Sequence, residues 1–223
     1  MCGRFTLTLD VDEIREELKL GDFPPDWGGR YNIAPSQPVA VVADAGTRAV
    51  EMMRWGLVPS WAKDMSIGNK LINARAETLV EKPSFRNAFQ RRRCLILADG
   101  FFEWKKAENK RGPSQPYYFQ RLGHKPFAFA GLWEFWRSPE GEPLRSCTLI
   151  TTAANDLVAP IHERMPVMLA GDRAWDWMQL TGQEALLGLL KPFPPDEMVA
   201  YPVGKLVNDP TVDAPEVLLP AGD

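Results

Sequence analysis

Strand-like apolar runs recur along this chain without helices alternating between them, which excludes a fold wound from strand–helix–strand units. Cys94–Trp104 is strongly apolar, and Pro116–Arg121, Phe127–Phe135 and Cys147–Ala153 read as further strands. Pro38–Ala43 and Arg48–Trp55 form a predicted strand pair across the Asp44–Thr47 turn, and a last short strand falls near Tyr201–Val203. Helices are few and short. Over Asp10–Leu20, Asp10 and Glu13 form a capping box, Ile14 and Leu18 share a face, and Gly21 supplies a stop. Pro83–Gln90 carries Pro near its first position with Phe85 and Phe89 on one side, and Asp172–Leu180 and Gln183–Leu190 complete the set. The predicted class is α+β: a single domain over residues 1–223, with a β-rich, mostly antiparallel, barrel-like core flanked by short helices. Gly21–Pro38 and Gly56–Lys70 are expected to be irregular, and Asp99-Gly100 is either a tight turn or a bulge inside its apolar run.

The net charge of −3 means that the chain as a whole is no basic nucleic-acid binder, so any such contact has to come from a local patch. Cys2, Cys94 and Cys147 are far apart with no CxxC spacing, which argues against a zinc site or a disulfide framework and fits a reducing compartment. The opening Met-Cys-Gly-Arg-Phe does not resemble a signal peptide, and no apolar run approaches the ~20 residues a membrane span needs. A cytoplasmic protein without metal or organic cofactor is expected.

A few residues carry reactive chemistry. Removal of Met1 would leave Cys2 with a primary amine and a thiol on adjacent carbons. Their reference pKa values, about 7.7–8.0 and about 8.5, keep reactive fractions present near neutrality. Such a pair condenses with an aldehyde to an imine and closes a five-membered thiazolidine, which no internal cysteine can do. Alone, a Cys after the start codon is ordinary. Extended backbone puts Asn73, Arg75 and Glu77 on one face, as a site or a solvated strand would. Glu103 sits among Phe101, Phe102 and Trp104; buried there it would be a general acid/base near neutral pH, and turned outward it is a surface carboxylate before Lys105. His162 lies between Pro160 and Pro166 in a constrained loop, where a histidine is structural as often as catalytic. Arg4, Arg75, Arg164, Trp61 and the Arg91–Arg93 run are the candidates for phosphate contact and base stacking.

Six segments in chain order tie these residues together: Met1–Phe5, Arg30–Pro35, Arg54–Trp61, Asn73–Thr78, Ala98–Trp104 and Ile161–Pro166. Together they resemble the SOS response-associated peptidase (SRAP) family of abasic-site processing proteins, and the resemblance runs from residue 2 to Val207-Asn208. It implies a cleft in which Cys2 crosslinks to an abasic sugar, Asn73 orients the Cys2 amine, and Glu103 and His162 handle protons. It further implies that Arg4, Pro35, Trp61, Arg75, Lys82 and Thr152 line the DNA path. The partner implied is single-stranded DNA containing abasic sites, including junctions with duplex, met by a monomer that associates with the nucleoid when bound to DNA. A slow strand-cleaving lyase activity and self-removal of Met1 fit the same residues. Two rivals remain: a cysteine peptidase of the N-terminal-nucleophile type using Cys2, His162 and Glu103, and a non-covalent reader of modified bases built on Trp61 and the arginines.

Overall fold

The computed structural model describes residues 2–107 and 112–222. The chain opens with β1 (Phe5–Leu7), α1 (Val11–Leu18), β2 (Arg30–Ile33), β3 (Pro38–Val42), β4 (Val50–Trp55), β5 (Asn73–Arg75) and α2 (Arg86–Arg91). It continues through β6 (Arg93–Ala98), β7 (Gly100–Lys105), β8 (Gln115–Arg121), β9 (Phe127–Arg137), β10 (Pro143–Ala153), β11 (Arg164–Pro166) and β12 (Met168–Leu169). α3 (Asp172–Gln179), α4 (Gln183–Leu189) and β13 (Met198–Pro202) complete it.

Five strands close into a barrel: β3 pairs β4, β4 pairs β10, β10 pairs β9, β9 pairs β6, and β6 returns to β3. Closure consumes the unpaired backbone groups that an open sheet leaves at its edges. Only the β4–β10 contact in this ring is parallel; the rest is antiparallel, as the sequence pattern predicts. A second sheet, in the order β13-β8-β7-β1-β2, is antiparallel throughout. The two share one core. Phe5 of β1 meets Trp55 and Phe129 of the barrel edge-on, at centroid distances of 5.1 and 5.5 Å. The class is therefore α+β with a closed barrel core and few short helices. Among the described residues, no helix is long and apolar enough to cross a membrane.

The apolar run Cys94–Trp104 is neither a hairpin nor a bulged strand. β6 belongs to the barrel and β7 to the second sheet, so the chain changes sheets at Asp99-Gly100. Asp99 is fully buried, and its carboxyl oxygens accept from Thr6 Oγ1, from Thr8 N and Oγ1, and from Leu9 N. Gly100 is required because a Cβ there would lie 2.0 Å from the Tyr118 hydroxyl oxygen.

Local signals place most elements within two or three residues of expectation. Asp10 caps α1, accepting from Asp12 N at 2.8 Å. The helix stops at Lys19 in the left-handed region rather than at Gly21. Gly21 is instead needed for close approach, since a Cβ would meet Thr47 O at 2.4 Å. The expected loop Gly21–Pro38 contains β2, a strand recruited by pairing with β1. Replacing Gly100 with Ala forces atoms into the Tyr118 ring, and a destabilisation of about 3 kcal/mol is expected from such overpacking. Urea unfolding at constant m-value measures it; an unchanged midpoint would show that the crossover tolerates a side chain.

Candidate functional site

The N-terminal segment is fastened to both sheets. β1 pairs with β7 through Phe5↔Phe101 and Thr6↔Gly100, and Phe102 N donates to Arg4 O at 3.0 Å. Continuing that register brings residue 3 opposite Glu103. From the other side, Asn73 Nδ2 donates to Cys2 O at 2.8 Å. Asn73 opens β5, which lies parallel to β10 with Asn73 beside Leu149. Cys2 is fully buried, and its Sγ lies 3.7 Å from Arg4 O.

The structure thus brings Cys2, Asn73 and Glu103 together. Glu103 is 2 % exposed, and burial pushes its carboxyl up to about 7. Burial also raises the Cys2 thiol well above its ordinary range, and the nearby Glu103 charge adds to the effect. At neutral pH the thiol is therefore protonated, and the carboxyl is poised between its two forms. Asn73 Oδ1 is buried with no hydrogen-bond partner among the described residues, an open acceptor on the side chain that already grips Cys2.

His162 lies just ahead of β11, half-buried, with its ring Nδ1 3.0 Å from Arg164 N. Burial lowers its pKa, so the neutral ring prevails at neutral pH. The charges of Glu163 and Lys106 both bear on it. Lys106 follows β7, so His162 sits toward the end of the strand that carries Glu103.

The expected DNA-path residues lie on several elements, with Arg75 of β5 beside Thr151, next to Thr152 on β10. Trp61 is 58 % exposed and lines a cavity of about 280 Å³ with Lys63, Asp64 and Lys70, an aromatic surface beside two cations and one carboxylate. Its loop is anchored by Trp136 Nε1 donating to Ala62 O at 2.7 Å and Val58 N donating to Ser146 Oγ at 2.8 Å. Arg75 is exposed on β5, Lys82 is exposed ahead of α2, and Pro35 is half-buried after β2. Thr152 is buried within β10 opposite Met165 of β11. Arg4 is committed to internal partners, with Nη1 donating to Asn32 Oδ1 at 2.8 Å and to Val207 O at 2.7 Å. Arg164, also a phosphate candidate, is held by Glu77 and by Thr151 O.

Two structural hubs escaped the sequence reading. Asn32, fully buried, donates to Asp209 O and Val212 O at 2.9 and 2.7 Å, and Asp213 accepts from Tyr31 N and Asn32 N. Together with Trp104 Nε1 donating to Asn208 Oδ1 at 2.7 Å, they clasp the C-terminal segment against β2 and β7. The Arg30-Tyr31-Asn32 string was the available signal, a polar cluster with no surface motif to explain it. No group of three or more His, Cys, Asp or Glu side chains among the described residues is arranged to hold a metal ion.

Residues 1–210 match the family model described as SOS response associated peptidase (SRAP). The chain belongs to the SRAP family. This SRAP chain is 45% identical over 223 residues to a Bacillus subtilis protein named "Abasic site processing protein YoqW", covering 98% of this chain and 99% of the relative. It is 34% identical to the Gallus gallus "Abasic site processing protein HMCES", over 99% of this chain and 78% of that protein. Its fold superposes on a crystal structure of a Bacteroides thetaiotaomicron protein with a TM-score of 0.87 at 25% identity, covering 99% and 100% of the two chains.

The raised carboxyl of the SRAP site has a consequence for stability. A carboxyl whose folded pKa exceeds its unfolded value stabilises the fold below the unfolded pKa and loses that contribution as pH rises through the folded one. For Glu103 the window runs from 4.5 to about 7. Glu103→Gln should therefore gain stability relative to the parent across that window, as read by thermal unfolding in a pH series. Parallel curves for the two proteins would show that Glu103 is solvated.

Proposed function

We propose that this protein reacts covalently with abasic sites in single-stranded DNA through the amine and thiol of Cys2, after loss of Met1. The observation that carries the proposal is the grip of Asn73 on Cys2. Its Nδ2 holds the Cys2 carbonyl at 2.8 Å, while its buried Oδ1 lacks a partner. A terminal amine on Cys2 supplies N–H donors for such an oxygen, which directs the nitrogen lone pair outward. The names of the relatives, abasic site processing proteins, supply the substrate class.

The steps follow from the protonation states. Abasic deoxyribose is mostly a closed hemiacetal, and Glu103, half-ionised near neutrality, carries the proton that opens it. The Cys2 nitrogen attacks the C1′ aldehyde, forming a C–N bond and a carbinolamine, which leaves as imine plus water. The Cys2 S–H then adds across the imine: sulfur bonds to C1′ and its proton passes to nitrogen, closing the thiazolidine with net loss of one water. His162, neutral in its half-buried loop, donates to the sugar O4′ as the ring opens. The imine also acidifies C2′, which permits a slow β-elimination of the strand. Arg75, Lys82 and the Trp61 cavity with Lys63 and Lys70 provide the local basic and aromatic surface that the overall charge lacks. Pro35, Arg4 and Thr152 belong to the same path.

The elevated thiol pKa favours this reading over a cysteine peptidase, which attacks as thiolate. Here the amine acts first and the thiol only adds to an imine. Incubation with abasic single-stranded DNA followed by denaturing electrophoresis and intact mass spectrometry tests the proposal. The active protein is expected to lack Met1 and to gain the mass of the DNA less one water. Cys2→Ala should lose the stable adduct, and Glu103→Gln should slow it by a factor of about 10²–10⁴. An adduct on Cys94 or Cys147, or full crosslinking with Met1 retained, would defeat it.

A further inference from the structure

We propose that Glu77 is a positioning residue for this reaction: it holds Arg164, and through Arg164 it keeps His162 in place as a neutral donor protonated at Nε2. The inference rests on the abasic-site reading above and names a residue to which that mechanism gives no role. The geometry is a clamp across β10. On one flank β5 pairs with it through Thr151↔Arg75, and on the other β11 pairs through Thr151↔Pro166. Glu77 follows β5 by two residues and Arg164 begins β11, so their ion pair bridges the two flanks of one strand.

The bridge is two-pronged. Arg164 Nη1 donates to Glu77 Oε1 at 2.6 Å and Nη2 to Oε2 at 2.9 Å, while Nη2 also donates to Thr151 O at 2.7 Å. Paired donors of this kind fix orientation as well as distance. Side-chain exposure is 12% for Arg164 and 53% for Glu77. Loss of the carboxylate therefore leaves a mostly buried guanidinium short of its counter-charge, and its lowest-cost response is to swing outward. His162 is bonded to the main chain of the same residue, so loss of the side-chain anchor reaches the histidine through the Arg164 backbone. His162 Nδ1 lies 3.0 Å from the Arg164 amide nitrogen and 3.2 Å from the Arg164 carbonyl oxygen; the amide can only donate, so the shorter contact selects the neutral ring with its proton on Nε2. The clamp thus ties the donor on one flank of β10 to Asn73, the amine holder, at the start of the other flank.

The test separates positioning from surface charge. With ¹⁵N-histidine labelling, and a His124→Gln variant to assign the second ring, the DNA-free parent should show His162 as a single Nε2–H tautomer above the ordinary histidine titration range. Glu77→Gln should show a mixture. In single-turnover crosslinking at saturating abasic single-stranded DNA, Glu77→Gln should be slower by a factor of about 10 to 100, with affinity for intact single strand unchanged. The Glu77→Gln/Arg164→Gln double variant should be no slower than the slower single one, because the pair acts as a unit. A slower rate with an unchanged tautomer, a changed tautomer with an unchanged rate, or an effect confined to DNA affinity each overturns the proposal. Failure of the parent to crosslink refutes the abasic-site reading instead, and the tautomer measured without DNA still decides whether the clamp holds the ring.

Discussion

The buried Asp99 side chain fastens the start of the chain to the point where the backbone passes from the barrel to the second sheet. By accepting from Thr6, Thr8 and Leu9 it fixes β1 against the β6–β7 crossover, and Gly100 lets the Tyr118 ring close over the junction. Chain termini are ordinarily among the least ordered parts of a domain unless they are tied down. Here residues 5–7 form a paired strand with two neighbours, so Cys2 emerges from a fixed backbone. The same crossover launches β7, which carries Glu103. One buried carboxyl thus bears on the relative positions of Cys2 and Glu103, although neither is among its hydrogen-bond partners above.

Burial has two opposite uses in this cleft. For a carboxylic acid it moves the pKa toward neutrality, where proton transfer is most effective; for a thiol it moves the pKa away from neutrality, where nucleophilicity is lost. Glu103 and Cys2 experience the same desolvation and are driven to these different ends. A thiolate nucleophile would be poorly served by such a site. A reaction in which an amine attacks first and a neutral S–H adds later is well served.

The barrel was legible in the sequence because its strands are long and apolar, as in Phe127–Phe135 and Cys147–Ala153, and their burial requires no information from elsewhere. The short strands were not. Arg30–Ile33 reads as loop because its polar residues are satisfied by Asp213 and the C-terminal carbonyls, some 180 residues away in the chain. β5 and β11 are each three residues long and exist only as additions to β10. Cys2, Glu103 and His162 were chosen from chemistry joined to the family resemblance, and burial of Glu103 removed the surface alternative left open by Lys105. The resemblance could not show that Arg4 is bound to Asn32 and Val207, or that Glu77 and Arg164 neutralise each other. Those pairings depend on long-range register, which no local pattern encodes.

The residues of the site divide between the two sheets. Cys2 and Glu103 belong to the second sheet, through the segment before β1 and through β7; Asn73 and His162 belong to the flanks of the barrel strand β10. The halves meet at the site through contacts that include the Asn73–Cys2 hydrogen bond and the charge of Lys106, just past β7, which bears on His162. Side chains anchored to different sheets keep their spacing only if each anchor is rigid, since a displacement of about 1 Å can cost a hundredfold in rate. β7 gains that rigidity from β1 and β8, paired along its two edges. β5 and β11 are too short for ladder bonds alone to provide it. An ion pair thrown across β10 between them supplies what their length does not, so an exposed carboxylate, Glu77, is also a structural one.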